Sequence, residues 1–379
     1  MSSDNYQAWR VEEQEDGSFI GNEKSLSIKD TLPIPPNENQ ESNTVLIKVT
    51  HSSLNYKDAL SSLGKKGGVT RNFPHTPGID AAGYIVSSTD GVDSSELEGQ
   101  SVLVTGYDLG MNTDGGFGGY IRVPKEWIIT PNPFELKIGN IDSDEANRTS
   151  MIYGTAGLTA ALSVEKLLMA GNAKPTDGKI LVTGSTGNVG SITVELLSNL
   201  GFDVIAISGK VADVEDTTTN TNNKLDFLME LGAKEVLGRE VLVSNKRPLL
   251  KPLYAHAIDT VGGTPLVEIL KQIKNGGSVT TCGNAAGIQM DSLTVLPFIL
   301  RGINLLGIDS VQISLNEKLN IWKKLASTWK CNIIEESVID IGRNEIDLYL
   351  KLMLDGRSAG KIVLDHNLTV TTTNDNSRL

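Results

Sequence analysis

Lys179-Ile-Leu-Val-Thr-Gly184-Ser-Thr-Gly187-Asn-Val-Gly190, running into Ser191-Ile-Thr-Val-Glu-Leu-Leu-Ser-Asn-Leu200, is the stretch on which the fold turns. An apolar, β-branched run stops at glycines and a helical pattern begins at once. A parallel strand that turns into a helix reads this way, and the first N–H groups of such a helix can hold a phosphate. Gly201-Phe-Asp-Val-Ile-Ala-Ile207 follows as a second buried strand, so the glycines lie inside a βαβ unit. Their spacing departs from strict G-x-G-x-x-G, and glycines alone would signal only a tight turn. The flanking strand, helix and strand give the triplet its meaning. In this reading Gly187 lets the backbone approach a pyrophosphate and Gly190 lets the helix pack close to the sheet.

The second strand ends in Ser208-Gly209-Lys210. A site for NAD usually carries an acid there, which bonds the ribose hydroxyls and repels a 2′-phosphate. A hydroxyl, an open backbone N–H and an ammonium suit a phosphate dianion instead. Arg239, shortly after the third strand, adds a second cation. The expectation is therefore NADP(H); the bland alternative is that Lys210 only opens a solvated loop.

The bulk properties narrow the partners. The chain has 379 residues, room for two domains with sizeable cores. A formal charge of -12 argues against nucleic acid or an anionic membrane as the main partner. Two cysteines, Cys282 and Cys331, make neither a disulfide framework nor a metal site, and suit a reducing compartment. No apolar run reaches the length of a membrane span, and the N-terminus lacks the order of a secretory signal. The expected location is cytoplasmic. It becomes peroxisomal in a eukaryotic source, because Ser377-Arg378-Leu379 is a near relative of the Ser-Lys-Leu address.

Texture divides the chain. Toward the N-terminus Thr44–Thr50, Ala81–Val86 and Ser101–Thr105 read as short strands between turn residues, and Gly115–Val123 as a glycine turn opening another. This predicts a partly open β-barrel. Beyond it, strands at 179–183, 203–207, 235–237, 256–260, 277–282 and 304–308 alternate with helical or loop segments, as in a doubly wound α/β sheet. Val211–Asn223 reads as an exposed acidic insertion. Helices are expected at Glu317–Trp329 and Glu345–Leu354, and a last strand at Lys361–Asp365 that returns to the first domain. The expected division is 1–150 with 312–379 for a substrate domain built from both ends of the chain, and 151–311 for a Rossmann-type nucleotide domain.

A second constellation carries the chemistry: Ser52-Ser-Leu-Asn55-Tyr56-Lys57-Asp58, with Thr76-Pro77-Gly78-Ile79-Asp80-Ala-Ala-Gly83 downstream. Here the chain resembles the medium-chain dehydrogenase/reductase superfamily. The zinc alcohol dehydrogenases of that superfamily carry a Cys ligand where this chain has Asn-Tyr-Lys-Asp, and Gly-His-Glu where it has Gly78-Ile79-Asp80. Neither ligand is here, and His51, His75, His256 and His366 show no ligand spacing, so no metal is expected. Without a metal to lower a hydroxyl's pKa, alcohol oxidation is disfavoured. Reduction of a C=C bond polarised by a carbonyl remains open, with hydride to the β-carbon and a proton to the α-carbon. Tyr56 is the candidate proton donor or a wall of the nicotinamide pocket. Asn55 is expected to orient ring or ribose, and Asp58 to hold local backbone.

The match narrows through Arg71-Asn-Phe-Pro74, Gly154-Thr-Ala-Gly157, Ile258-Asp-Thr-Val-Gly262, Pro297-Phe-Ile-Leu-Arg301 and Gly307-Ile-Asp-Ser310. With Ser52–Ala59 and Pro77–Asp80, these resemble the quinone-oxidoreductase-like subfamily of bacterial acryloyl-CoA reductases, in order from about residue 45 to 365. The resemblance implies an NADPH-dependent reductase converting acryloyl-CoA to propanoyl-CoA, and a homodimer joined through the Rossmann domains. It implies cofactor contacts at Tyr56, Thr155, Thr186, Gly187, Asn188, Val189, Ser208, Gly209, Lys210 and Arg239, then Asn284, Ile299, Ser310 and Arg357. Lys210 stands where the family usually has Arg, which keeps charge and loses the fork. Lys65, Lys66 and Arg71 are candidates for CoA phosphates. The rival activities are reduction of free enones or quinones, and NADPH binding without turnover.

Overall fold

The computed structural model describes residues 4–33, 43–88, 97–135, 142–209, 221–358 and 360–368. Lys210 and Ser377–Leu379 lie outside them, as does most of the acidic insertion. In chain order the elements begin with β1 (Asn5–Glu13), β2 (Phe19–Ser27), a single turn α1 (Ile28–Thr31), β3 (Thr44–Ser53) and α2 (Tyr56–Ser62). Next come β4 (Asp80–Ser88), β5 (Ser101–Thr105), β6 (Tyr120–Pro124), β7 (Ile128–Ile129) and α3 (Ser143–Met169). The alternating part runs β8 (Ile180–Thr183), α4 (Asn188–Asn199), β9 (Val204–Ser208), α5 (Thr221–Glu230), β10 (Glu235–Gly238), β11 (His256–Asp259) and α6 (Gly263–Leu270). It continues through β12 (Ser278–Thr281), α7 (Leu296–Arg301) and β13 (Asn304–Gly307) to α8 (Leu315–Leu325) and α9 (Asn332–Glu336). The chain closes with β14 (Ile339–Ile341), α10 (Ile346–Leu354) and β15 (Ile362–Asp365).

Two compact units result: Met1–Thr155 with Val338–Leu379, and Ala156–Ser337. In the first, β1 and β2 form an antiparallel hairpin that the sequence reading left unnamed. The main sheet follows the order β14-β15-β3-β4-β5-β7, with β6 also paired to β3. Strand β3 thus has β6 beside its first half and β15 beside its last, with β4 alongside both. Register shifts between Leu46 and Ile47 and between Val49 and His51 bend it, as β-bulges do. Its inward residues Val45, Ile47 and Val49 join Ala81, Ile85, Val102, Val104, Ile121 and Val123 in one core. Each large side chain buried there contributes roughly 1.5–3 kcal/mol of transfer free energy. β15 returns to β3 through Val363 opposite Ser53, as expected of a strand stranded beyond the wound sheet.

The second unit is a six-stranded parallel sheet in the order β10-β9-β8-β11-β12-β13. All four residues of β8 are buried, which is why the sequence there is continuously apolar. The strand order reverses between β8 and β11, and in such sheets ligands bind beyond the strands' carboxyl ends at that reversal. Three boundaries differ from expectation. The second unit holds on to α8 and α9, so the return to the first comes at Val338 and not near 312. The reasons are local: Trp322 of α8 is fully buried, Lys324 pairs with Glu165 at 2.6 Å, and Glu195 of α4 accepts the first N–H groups of α9. Helix α8 starts at its Ser314/Glu317 capping box and ends at Leu325, short of Trp329. Residues 221–223 open helix α5 instead of closing a loop; Leu228, fully buried, anchors that helix to its unit. Among the described residues no helix is long and apolar enough to cross a membrane.

The turn after β8 generates a contrast. A Cβ on Gly190 would stand 2.2 Å from the Gly184 carbonyl oxygen, whereas one on Gly187 would meet that oxygen at 3.2 Å. Gly190→Ala is expected to lower stability by about 1–3 kcal/mol, the usual cost of overpacking against backbone. Gly187→Ala should cost less than about 1 kcal/mol, as for a helix N-cap that tolerates a methyl group. Urea midpoints measure both, and equal losses would contradict this geometry.

Candidate functional site

In the second unit the glycine turn has the form its sequence implies. Gly184 sits at φ +59°, and a Cβ there would lie 2.4 Å from Thr260 Oγ1. The N–H of Gly187 donates to the Gly184 carbonyl, and Gly187 is the N-cap of α4. Asn188 and Val189 follow as the first helical residues, only partly covered. Thr186 Oγ1 and Ser208 Oγ are 3.0 Å apart, so the turn after β8 and the end of β9 meet. Gly209 follows, and a Cβ there would stand 3.2 Å from the Arg239 Cδ. Thr186, Ser208, Gly209 and Arg239 therefore share one place, with the Arg239 side chain laid along the open backbone of Gly209. This cradle fits a 2′-phosphorylated ribose: hydroxyls, a bare backbone and a guanidinium, with no acid at position 208 or 209, while the Glu240 carboxylate lies against Gly238, which stands beside Ser208 in the ladder.

Asp259 ties the same strand ends together, a role the sequence reading did not assign. Its buried carboxylate accepts from Thr183 and Thr281 hydroxyls at 2.9 Å each and from the Gly262 N–H at 2.9 Å. Burial raises its pKa above the ordinary value against the pull of these donors. It locks β8, β11 and β12 at the reversal point. Asn284 lies exposed in the loop after β12, next to Gly262. Ser310 is buried and bonded to Thr159 at 2.8 Å. Ile299 of α7 is 68% exposed, with Val295 and Leu300 also exposed beside it.

In the first unit the Asn55–Asp58 segment is the start of α2. Asn55 is its N-cap, and its backbone N–H donates to Asp58 at 2.8 Å. The other Asp58 oxygen accepts from Gly78 and Ile79 N–H groups at 3.1 and 3.0 Å. Asp58 therefore holds backbone, as expected. The side-chain nitrogen of Asn55 is committed to Ser53 and, at 2.8 Å, to Asp80. That nitrogen is held inside the protein, between Ser53 and Asp80. Tyr56, by contrast, is 53% exposed, and its hydroxyl makes no hydrogen bond among the described residues. Thr155 donates both its N–H and its hydroxyl to Asp80, at 2.8 and 2.5 Å. Arg357 is exposed just after α10, behind a left-handed Gly356. Lys65 is paired with Glu13 at 2.8 Å, which competes with the CoA contact expected of it; Lys66 and Arg71 are exposed. Among the described residues no group of three or more His, Cys, Asp or Glu is placed to hold a metal ion.

The alcohol dehydrogenase GroES-like domain family matches residues 41–133. YhfP of Bacillus subtilis, which carries the name of a quinone oxidoreductase, is 39% identical over 327 residues, spanning 84% of this chain and 89% of its own length. The structure of Bacillus subtilis yhfP with NAD bound has a TM-score of 0.81 at 35% identity, covering 96% of this chain and all of that one. The acrylyl-CoA reductase AcuI of Ruegeria pomeroyi is 34% identical over 356 residues, 94% of this chain and 97% of its own. YHDH of Escherichia coli K-12, solved with bound NADPH, has a TM-score of 0.80 at 35% identity, covering 95% and 100%.

Burial, followed by the neighbouring Asp80 charge, pushes Asp58 up to about 7 from an ordinary 3.8. Between about pH 4 and 7 the folded state then holds a proton that the unfolded chain lacks. This group's contribution to stability falls as pH rises through that window and is level above it. Replacing Asp58 by Asn should remove that component, so urea midpoints of the wild type minus those of the variant decline from pH 4.5 to 7. A difference that stays constant across the window would contradict the assignment.

Proposed function

Because the chain belongs to the quinone-oxidoreductase-like branch of the medium-chain dehydrogenase/reductase superfamily, we propose that it reduces the C=C bond of a short enoyl-CoA, acryloyl-CoA foremost, with NADPH. The observation that carries the substrate is the likeness to AcuI along 94% of this chain. The cofactor choice is supported by Ser208, Gly209 and Arg239 standing together, with neither position at the end of β9 occupied by an acid. Thr186, Gly187, Asn188 and Val189 would receive the pyrophosphate at the start of α4, where the positive end of the helix dipole favours negative charge. Thr155, Asn284, Ile299, Ser310, Arg357 and Lys210 are the further contacts in this reading.

When bound, the reduced nicotinamide supplies the hydride for the β-carbon. The protein's part is to hold the enoyl group, stabilise charge as it moves to the thioester oxygen, and return a proton to the α-carbon. Tyr56 is our proton donor: it is exposed, its hydroxyl is uncommitted among the described residues, and Asn55 fixes the helix turn that carries it. The exposed Val295, Ile299 and Leu300, beside a β13 that ends the described sheet, support a homodimer through the nucleotide unit. Cys282 and Cys331 share no disulfide, which fits a reducing compartment such as the cytoplasm.

Initial rates with acryloyl-CoA, small enones and quinones, each with NADPH and NADH, test the reading. Acryloyl-CoA with NADPH should give the highest kcat/KM. Turnover of quinones alone would favour the reading that YhfP's name suggests, and tight NADPH binding without oxidation would mark a non-catalytic protein. Arg239→Ala should raise the KM for NADPH about tenfold, the worth of one charge-assisted hydrogen bond, and leave that for NADH nearly unchanged. Tyr56→Phe should lower kcat by about 100-fold, within the range of a lost general acid. Unchanged turnover in that variant removes Tyr56 as the donor.

A further inference from the structure

The first unit buries two carboxylates and an ammonium in one cluster. Asp80 is fully buried at the start of β4. One of its oxygens accepts from the Ser53 hydroxyl, the Asn55 amide and the Thr155 N–H, each at 2.8 Å. The other accepts the Thr155 hydroxyl at 2.5 Å. Lys361, 3% exposed and one residue before β15, donates to that same Ser53 hydroxyl at 3.1 Å. Asp58 completes the charged set. Four segments far apart in sequence converge here: the end of β3, the start of β4, the break at Gly154 and the start of β15. Gly154, at φ +52°, interrupts α3, and a Cβ on it would lie 2.5 Å from both Asp80 Oδ2 and Ser53 Oγ. The backbone is drawn in against the carboxylate as far as a glycine allows.

A cluster of this kind is a poor stabiliser. Well-packed apolar residues of the same volume are as good or better, because the desolvation cost of two charges offsets their attraction. What such a cluster provides is geometry. Among the described residues, the side-chain oxygens of Asp80 accept from Ser53, from the N-cap that carries Tyr56, and from Thr155. We propose that Asp80 and Lys361 are positioning residues for the reduction: a buried carboxylate, joined to a buried ammonium through Ser53, fixes the first turn of the Tyr56 helix and the Thr155 backbone in one arrangement. This rests on the reductase reading above and adds to it two residues that touch neither substrate nor cofactor.

The ammonium also gives the arrangement a pH limit. Burial lowers Lys361 to about 8 from an ordinary 10.5, against the charges of Asp80 and Asp58, the charged groups that face it. Below about pH 8 Lys361 holds its proton and donates to Ser53. Above it the neutral amine no longer balances Asp80, and the positioning loosens.

The experiment compares wild type, Asp80→Asn and Lys361→Met, with the double variant D80N/K361M as the form that leaves no buried charge of this pair uncompensated. NADPH affinity by fluorescence and helix content by circular dichroism establish that each is folded; the double variant decides if the single ones are not. Each folded variant should bind NADPH within about threefold of wild type and lose at least about 30-fold in kcat, since small misplacements of reacting groups cost on the order of 100-fold. Wild-type kcat should fall as pH rises through about 8, and Lys361→Met should lack that limb. A folded variant with kcat within about twofold of wild type, or a Lys361→Met profile that keeps the limb, overturns the proposal. If wild type ignores acryloyl-CoA but reduces an enone or quinone, the substrate reading fails, and the same comparison on that acceptor still decides the positioning role. A wild type inert toward every acceptor overturns both.

Discussion

Between Gly184 and Gly190 the backbone closes on itself so tightly that one methyl group would meet a carbonyl oxygen at 2.2 Å. The nucleotide unit depends on that approach. It brings the first turn of α4 up to the end of β8, where the sheet order reverses and where sheets of this kind bind their ligands. Asp259 secures the neighbouring strand ends, so the turn is held on a rigid base. In the proposed reading, Ser208, Gly209 and Arg239 then distinguish one nicotinamide cofactor from another. Phosphate recognition, in that reading, is a property of backbone spacing first and of side chains second.

The first unit solves a different problem by similar means. It must present Tyr56 to solvent from a short helix, and a helix of two turns has little stability of its own. Asp58 and Asp80 take over, the one accepting N–H groups from α2's N-cap and from Gly78 and Ile79, the other accepting Ser53, Asn55 and Thr155. Both units thus use a buried carboxylate as a clamp across chain segments. In each, the carboxylate is affordable because donors surround it.

Much of the fold was legible because strand and helix periods are written into single stretches. The run at 180–183, the glycines after it and the alternating β-branched segments that follow could hardly specify anything other than a wound sheet. The return of the last strand was legible too, since Ile362–Asp365 had no place left in that sheet. The limits lie where long-range contact decides. That α8 and α9 stay with the nucleotide unit depends on Trp322, Lys324 and Glu195, partners more than a hundred residues apart. The commitment of Asn55 to Asp80 could not be read from its place in an Asn-Tyr-Lys-Asp string, and Lys361 carried no local mark at all. One signal was available: Gly154 ahead of Thr155 in an otherwise helical pattern, a hint of close backbone approach.

The central claim is conjugate reduction, with hydride to the β-carbon and a solvent-derived proton to the α-carbon. Isotope placement tests it most directly. With NADPH deuterated at the transferring position of C4 and acryloyl-CoA in ordinary water, mass spectrometry and NMR of the propanoyl-CoA should locate one deuterium at C3 and none at C2. In deuterium oxide with ordinary NADPH the label should appear at C2 instead. Label from the cofactor at C2, or no transfer to carbon while NADPH is consumed, would contradict the account.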